Sequence, residues 1–297
     1  MSSSYSEQTG GFTRGSLNGS SSSKRTLFNN VMNGVIFACG TLALLPLMLV
    51  LSYLLIKGFS SLSLDLFTKL PPAPLDKGGG FGNAIIGTAI MVGIGTVISV
   101  PIGVAAAVYL TEFSKGQTAR WIRFATNVLS GVPSIIAGVV TYGILVTNEN
   151  IGYSAIAGGV ALSILMLPII VRTTDEALQL VSNDLRQAAV GIGATNYQTV
   201  LQVVLPSALP SIVTGVTLSV ARAAGETAPL IFTALFSAFW LRSLTDEPVA
   251  SLAVLVYNFA TSFDQNQQSV AWAASLVLVL LVLIASIFAR FATRSKS

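Results

Sequence analysis

The sequence predicts an all-α membrane protein: six transmembrane helices, with a cytoplasmic hairpin between the fourth and fifth. Three observations predict it. Of 297 residues, 53% are hydrophobic and 9% are charged, with a mean hydropathy of +0.75; soluble domains carry about 25% charged residues. Six apolar stretches reach the length of about 20 residues that a hydrocarbon core requires. The Lys and Arg residues fall unevenly between the loops, which sets an orientation.

The chain opens on a Ser- and Gly-rich stretch with only Glu7 and Arg14 charged over its first 23 residues. Residues 1–26 therefore predict a disordered cytoplasmic tail, followed by a membrane domain over 27–297. Lys24 and Arg25 precede an apolar run too long for a cleaved signal, so this run is a retained span. The six spans are expected near 27–56, 84–110, 121–146, 153–171, 207–240 (interrupted in the middle) and 270–291. With the N-terminus in the cytoplasm, eleven of the sixteen Lys and Arg residues lie on that side and four lie outside, Arg222 being left within the membrane. Both termini are then cytoplasmic. The net charge of +4 is a topology signal and does not indicate a nucleic-acid surface.

Composition also excludes chemistry. There is no histidine and a single cysteine, Cys39. That leaves no intrachain disulfide, no zinc cluster of the usual kind and no Ser-His-Asp or Cys-His catalysis. The glycine run 78–82 has neither the flanking elements nor the Lys-Ser/Thr of a phosphate loop, so a flexible hinge before the second span is expected. Small residues in the second span (Gly87, Gly93, Gly95, Gly103) predict close helix packing. The apolar run 249–260 is too short to cross. It predicts an interfacial or re-entrant helix, either as a landing surface for an external partner or as packing over the mouth of the bundle.

Between Arg172 and Pro206 the pattern changes. Ser182 or Asn183 can cap a short helix with Asp184 in its first turn. Leu185, Ala188, Ala189 and Ile192 then form one apolar stripe, and Gly191 and Gly193 break the helix. Thr195 and Gln198 make a capping box. Tyr197, Val200, Leu201 and Val204 form a second stripe, and Leu205-Pro206 ends the element. The result is a compact hairpin, about 176–206, whose Ala-Ala face lets another surface come close.

The spacing of Gln187-Ala188-Ala189, Gly193, Val203 and Leu205-Pro206 resembles the coupling-loop signature of ABC importer permeases, with Gln187 where that signature has Glu and Val203 where it has Ile. Three further stretches, Ser130 to Ile135, Arg186 to Pro210 and Ala221 to Leu230, resemble the PstA-type permease family of the high-affinity phosphate importer. The likeness runs from about residue 82 to the C-terminus. It implies a type I ABC importer (MetI-like) fold, with a core over about 82–292. Gln187, Ala188, Ala189, Gly193, Leu205 and Pro206 would then couple to an ATPase. The implied partners are a PstC-like permease, two copies of a PstB-like ATPase and a PstS-like phosphate-binding protein on the external face. No cofactor is expected in this chain, because ATP-Mg would be bound by the ATPase.

Arg222 and Glu226 lie one helical turn apart in the fifth span. Charges within a membrane are costly unless they face a cavity or a partner, and Gly225 and Pro229 weaken the helix around them. An arginine fork suits a tetrahedral oxyanion. Arg222, Glu226 and, more weakly, the Thr227 hydroxyl are therefore expected along a substrate path. Glu226 either neutralises and orients Arg222 or accepts the proton of hydrogen phosphate; the plain alternative is an ion pair that only fixes packing. The expected function is an ATP-driven phosphate permease without catalysis of its own. Its rivals are a permease for another oxyanion (sulfate or molybdate), a secondary transporter or channel, and a membrane scaffold.

Overall fold

The computed structural model describes residues 24–114, 116–147 and 151–294, which contain helices and no strand. Most of the expected tail, 1–23, lies outside the described residues. Its last three residues are helical, correcting the boundary: α1 is Lys24–Ser60, because Lys and Arg extend a helix readily. The chain divides into two units, 1–53 and 54–297. In the first, the helix of α1 presents exposed apolar side chains such as Phe37 and Leu42. In the second, the end of α1 packs closely, and a Cβ on Gly58 would stand 2.7 Å from Leu276 Cβ.

The second unit continues with α2 (Asp65–Thr68) and α3 (Gly82–Val108), which runs into a π-helical turn at Tyr109–Phe113. The loop between them is not the expected hinge. Gly80 and Phe81 donate to the Leu70 and Leu66 carbonyls at 2.9 and 2.7 Å. A Cβ on Gly80 would stand 2.6 Å from the Leu66 carbonyl oxygen. The glycines serve close backbone approach here, and the loop is packed.

The third expected span is not one straight helix. It is α4 (Gln117–Ser130) and α5 (Ser134–Thr141, then a π-helical turn Tyr142–Val146), bent by 98° at 131–133. Pro133 supplies no N–H to continue the ladder and disfavours a helical residue before it. Among the described residues, five helices are long and apolar enough to cross a membrane, and the bent pair makes up to six.

Then come α6 (Ala155–Gln179), capped by Ser154 through Ala157 N, and the hairpin helices α7 (Asn183–Gly191) and α8 (Asn196–Thr199). The expected stop at Leu205-Pro206 does not occur. A π-helical turn, Val200–Val204, carries α8 straight into α9 (Leu205–Ala224). Leu205 N bonds back to the Val200 carbonyl, a five-residue reach. Pro206 follows that turn as the second residue of α9, and a local π adjustment of this kind re-satisfies the backbone groups that a proline frees.

Beyond α9 lie α10 (Ala228–Thr233), α11 (Leu252–Ala260) and α12 (Gln265–Arg294). The fifth span thus ends at Thr233, and residues 235–251 are not helical. α11 buries Leu252, Ala253, Val254, Leu255 and Phe259, and Leu252 N donates to Thr88 Oγ1 at 2.8 Å. Of the two readings for 249–260, it fits packing.

The core lies around α6. Met91 of α3, Leu162, Met166 and Ile170 of α6, Ala223 of α9 and Leu230 of α10 form one buried cluster. Small residues bring α3 onto α6: a Cβ on Gly103 would meet Ile170 Cγ2 at 2.8 Å, and one on Gly95 the Gly159 carbonyl at 3.1 Å. Gly93 differs, with nothing within 4 Å. The tightest approach that matters below is Gly138 on α5, whose added Cβ would stand 2.6 Å from Pro229 Cα. Backbone cannot yield as a side chain tip does. Gly138→Ala should cost about 1–3 kcal/mol, seen as a lower unfolding midpoint of the solubilised protein, while Gly93→Ala leaves that midpoint unchanged. Equal midpoints for the two variants would contradict this packing.

Candidate functional site

The hairpin forms where local chemistry dictates. Ser182 Oγ accepts from Leu185 N at 3.4 Å, and Asp184 occupies the first turn of α7. Thr195 Oγ1 accepts from Gln198 N at 3.3 Å while Gln198 Oε1 accepts from Thr195 N at 2.9 Å, completing the capping box. Gly191 remains within the helix, and the break falls at Gly193, with φ +93°. A left-handed glycine just beyond the C-cap is how many helices end.

The two expected stripes are each split. On α7, Leu185 and Ala188 are exposed and Ile192 is 89% exposed, whereas Ala189 is buried. Gln187 is exposed. On the second stripe Tyr197 and Leu201 face out, while Val200 and Val204 are buried. Val204 joins Ala107, Leu178 and Ala208 in a cluster that seats the hairpin on α3, α6 and α9. The hairpin therefore offers Leu185, Ala188 and Ile192 outward and holds itself with Ala189, Val200 and Val204. Exposed apolar side chains grouped on a polar element suit contact with another protein or with a membrane. Leu205 is partly buried and Pro206 exposed at the start of α9.

Arg222 and Glu226 lie where α9 breaks. Ala223 is buried in the cluster containing Leu162 and Met166, which are 7 and 11 residues into α6 from Ala155. That is about 10–17 Å along the axis of a helix long and apolar enough to cross a core about 30 Å thick. α9 ends at Ala224, and Gly225–Thr227 are not helical. Irregular backbone at this depth is tolerated where it lines a cavity or is buried in protein.

Arg222 Nε donates to Glu226 Oε1 at 3.3 Å, with side chains 62% and 17% exposed. Among the described residues, the two terminal nitrogens of Arg222 make no hydrogen bond, so the outer edge of the fork is open. Thr227 is partly buried, its carbonyl accepting from Leu230 N and Ile231 N. The three expected path residues are thus together at one break. Chemically the arrangement suits transient binding of an anion: one oriented guanidinium, with four free N–H donors, beside a carboxylate that limits net charge.

Sequence reasoning missed a second set of charges. Arg186 pairs with Glu112 and Arg123 with Asp175, both at 2.9 Å. The Arg residues counted only toward topology, and no local spacing links partners 74 and 52 residues apart.

Comparison with known proteins places this geometry. Residues 99–297 match the family described as binding-protein-dependent transport system inner membrane component. The chain is 41% identical over 273 residues to the phosphate transport system permease protein PstA of Haemophilus influenzae, covering 92% of this chain and 96% of that protein. It is 34% identical over 281 residues to the PstA of Mycobacterium leprae, covering 92% of each. In fold it is similar to a chain of the bacterial alginate ABC transporter, at TM-score 0.66 and 14% identity over 93% of this chain and 98% of that one. It is also similar to a chain of the inward-facing MetNI methionine ABC transporter, at TM-score 0.57 and 22% identity over 72% and 94%. This multi-pass membrane chain therefore belongs to the binding-protein-dependent transport system inner membrane components, within the PstA permeases.

Proposed function

We propose that this chain is the permease subunit of an ATP-driven phosphate importer and forms half of the translocation path. The observation that carries the cargo is the 41% identity, across 92% of the chain, to a permease named for phosphate transport. The open guanidinium edge of Arg222 at the break supports it. In this reading the complex contains a PstC-like permease, two copies of a PstB-like ATPase and an external PstS-like binding protein. It sits in the bacterial inner membrane with both termini cytoplasmic. The chain catalyses no reaction, and ATP-Mg is bound by the ATPase.

The mechanism follows from the fold. Closure of the ATPase dimer moves the surface on which Leu185, Ala188 and Ile192 rest. The hairpin is continuous with α9 through the turn at 200–204, so the motion reaches Arg222 along one helix. Alternating access then exposes the break at 225–227 to one side or the other.

The test is uptake of labelled phosphate by the reconstituted complex, with and without ATP, against excess sulfate. Phosphate uptake that needs ATP and resists sulfate supports the reading. Competition by sulfate or molybdate would assign another oxyanion. Uptake without ATP would assign a secondary transporter. The two roles of Glu226 separate in the same assay: Glu226→Gln reduces discrimination against sulfate only if the carboxylate receives the phosphate proton.

A further inference from the structure

Four charged side chains at the cytoplasmic end of the spans have no place in that mechanism. Arg186, on the inward face of α7, reaches three elements at once. Its Nη2 donates to Glu112 Oε1 at 2.9 Å and to the Leu178 carbonyl at 2.8 Å, and its Nη1 donates to the Val181 carbonyl. One guanidinium thus ties the hairpin to the π-helical end of α3 and caps the C-terminal carbonyls of α6, where a cation is favoured. The side chains of the pair are 21% and 11% exposed, so water screens it only in part.

The residue before Glu112 leads to the second pair. Thr111 Oγ1 donates to Asp175 Oδ1 at 2.7 Å. Arg123 grips the same carboxylate through Nε and Nη2, both at 2.9 Å. A two-pronged contact of this kind fixes orientation as well as charge. Arg123 belongs to α4, which leads through the 98° bend to α5. Gly138 of α5 rests on Pro229, three residues past Glu226. The Arg123–Asp175 pair lines an open cavity of about 710 Å³ between α4 and α6, with Asn127 and Gln179 also on its wall. Both anchors of the hairpin also fall on π-helical turns, 109–113 and 200–204, and such turns are frequent at functional sites.

We propose that the Glu112–Arg186 and Arg123–Asp175 pairs, joined through Thr111, are a second transmission line from the hairpin to the break at Gly225–Thr227. It runs from the π-helical turn after α3 through Asp175 of α6 to α4 and α5, and arrives at Pro229. The covalent route through Leu205 and Pro206 reaches one end of the break; this route reaches the other. Arg186, Glu112, Thr111, Asp175 and Arg123 are positioning residues. The proposal rests on the importer reading for its cargo and on the contiguous contacts above for its route; that both ends bias one element is what the experiment measures.

The test uses the reconstituted permease–ATPase complex with its external binding protein and reads phosphate imported per ATP hydrolysed. Glu112→Gln and Arg123→Gln should each lower that ratio about tenfold without lowering basal ATP hydrolysis. The combined variant should be no worse than the poorer single one, because groups on one line are not additive. Thr111→Val removes only the joining hydroxyl and should lower the same ratio; it carries the test if Glu112→Gln does not assemble. In the same complex, Arg123→Gln should speed amide exchange in α7, which it does not touch. Normal ratios, losses that multiply in the combined variant, or unchanged exchange in α7 would each overturn the line. Fewer complexes with a normal ratio would show a structural role only and also overturn it. A wild-type complex that imports no phosphate removes the importer reading, and the exchange measurement then decides the line by itself.

Discussion

Gly193→Asp should abolish ATP-driven uptake, by about 100-fold or more, while the complex still assembles and hydrolyses ATP. Two effects add. Gly193 has φ +93°, a conformation that costs a residue with a side chain about 1–3 kcal/mol. Beyond its two chain neighbours, no atom of this chain lies within 4 Å of the added Cβ, so there is room for the new carboxylate next to the exposed Ile192. An unpaired charge driven into a protein interface costs several kcal/mol, and each 1.4 kcal/mol is a factor of ten. Two further variants separate the effects. Gly193→Asn tolerates left-handed backbone about as Asp does and adds no charge, so it isolates the charge and should retain most of the uptake. Gly193→Ala carries the backbone strain alone and should fall between. If Asp and Asn behave alike in proteoliposomes, charge at the docking surface has no part, and the outward stripe of α7 is not where the ATPase seats.

The contrast between this glycine and the missed ion pairs shows what a sequence exposes. Ser182, the Thr195–Gln198 box and Gly193 act on their own neighbours within three or four residues, so their spacing alone places the caps and the break, and the structure has both caps. The break at Gly225–Thr227 was legible for the same reason, from Gly225 before Glu226 and Pro229 after it. Span content was legible because hydropathy measures composition. Direction was not: the same hydropathy over 121–146 suits a straight helix or one bent by 98°, and only the backbone consequence of Pro133 decides. Pro206 looked like an end because proline usually stops a helix; the π-helical turn before it, which lets the helix run on, has no pattern in single-letter code. Burial split the hairpin stripes between docking and anchoring, and that depends on α3, α6 and α9 arriving from far along the chain. The Glu112–Arg186 and Arg123–Asp175 pairs are long-range in the same way.

Arg222→Gln should reduce phosphate uptake at least about tenfold with the complex intact, because a hydrogen bond to a charged group is worth about 1.5–3 kcal/mol. The difficulty is to distinguish loss of an anion contact from loss of a partner for Glu226. Glu226 is only 17% exposed and has Arg222 as its salt-bridge partner at 3.3 Å, so Arg222→Gln leaves a largely sheltered carboxylate unpaired, which by itself is destabilising. The double variant Arg222→Gln with Glu226→Gln decides between them. It removes both charges and leaves two amides that can pair with each other. If the pair only fixes packing, the double variant recovers uptake while the single does not, as replacement of whole buried pairs often does. If Arg222 holds the anion, the double variant stays as poor as the single, since no cation remains at the break. Arg222→Lys refines the same question: it preserves the charge but not the fork, so it should keep a measurable share of uptake if the contact is to an anion. Full uptake in an assembled Arg222→Gln complex would remove the guanidinium from the path altogether and leave the break at 225–227 as a hinge.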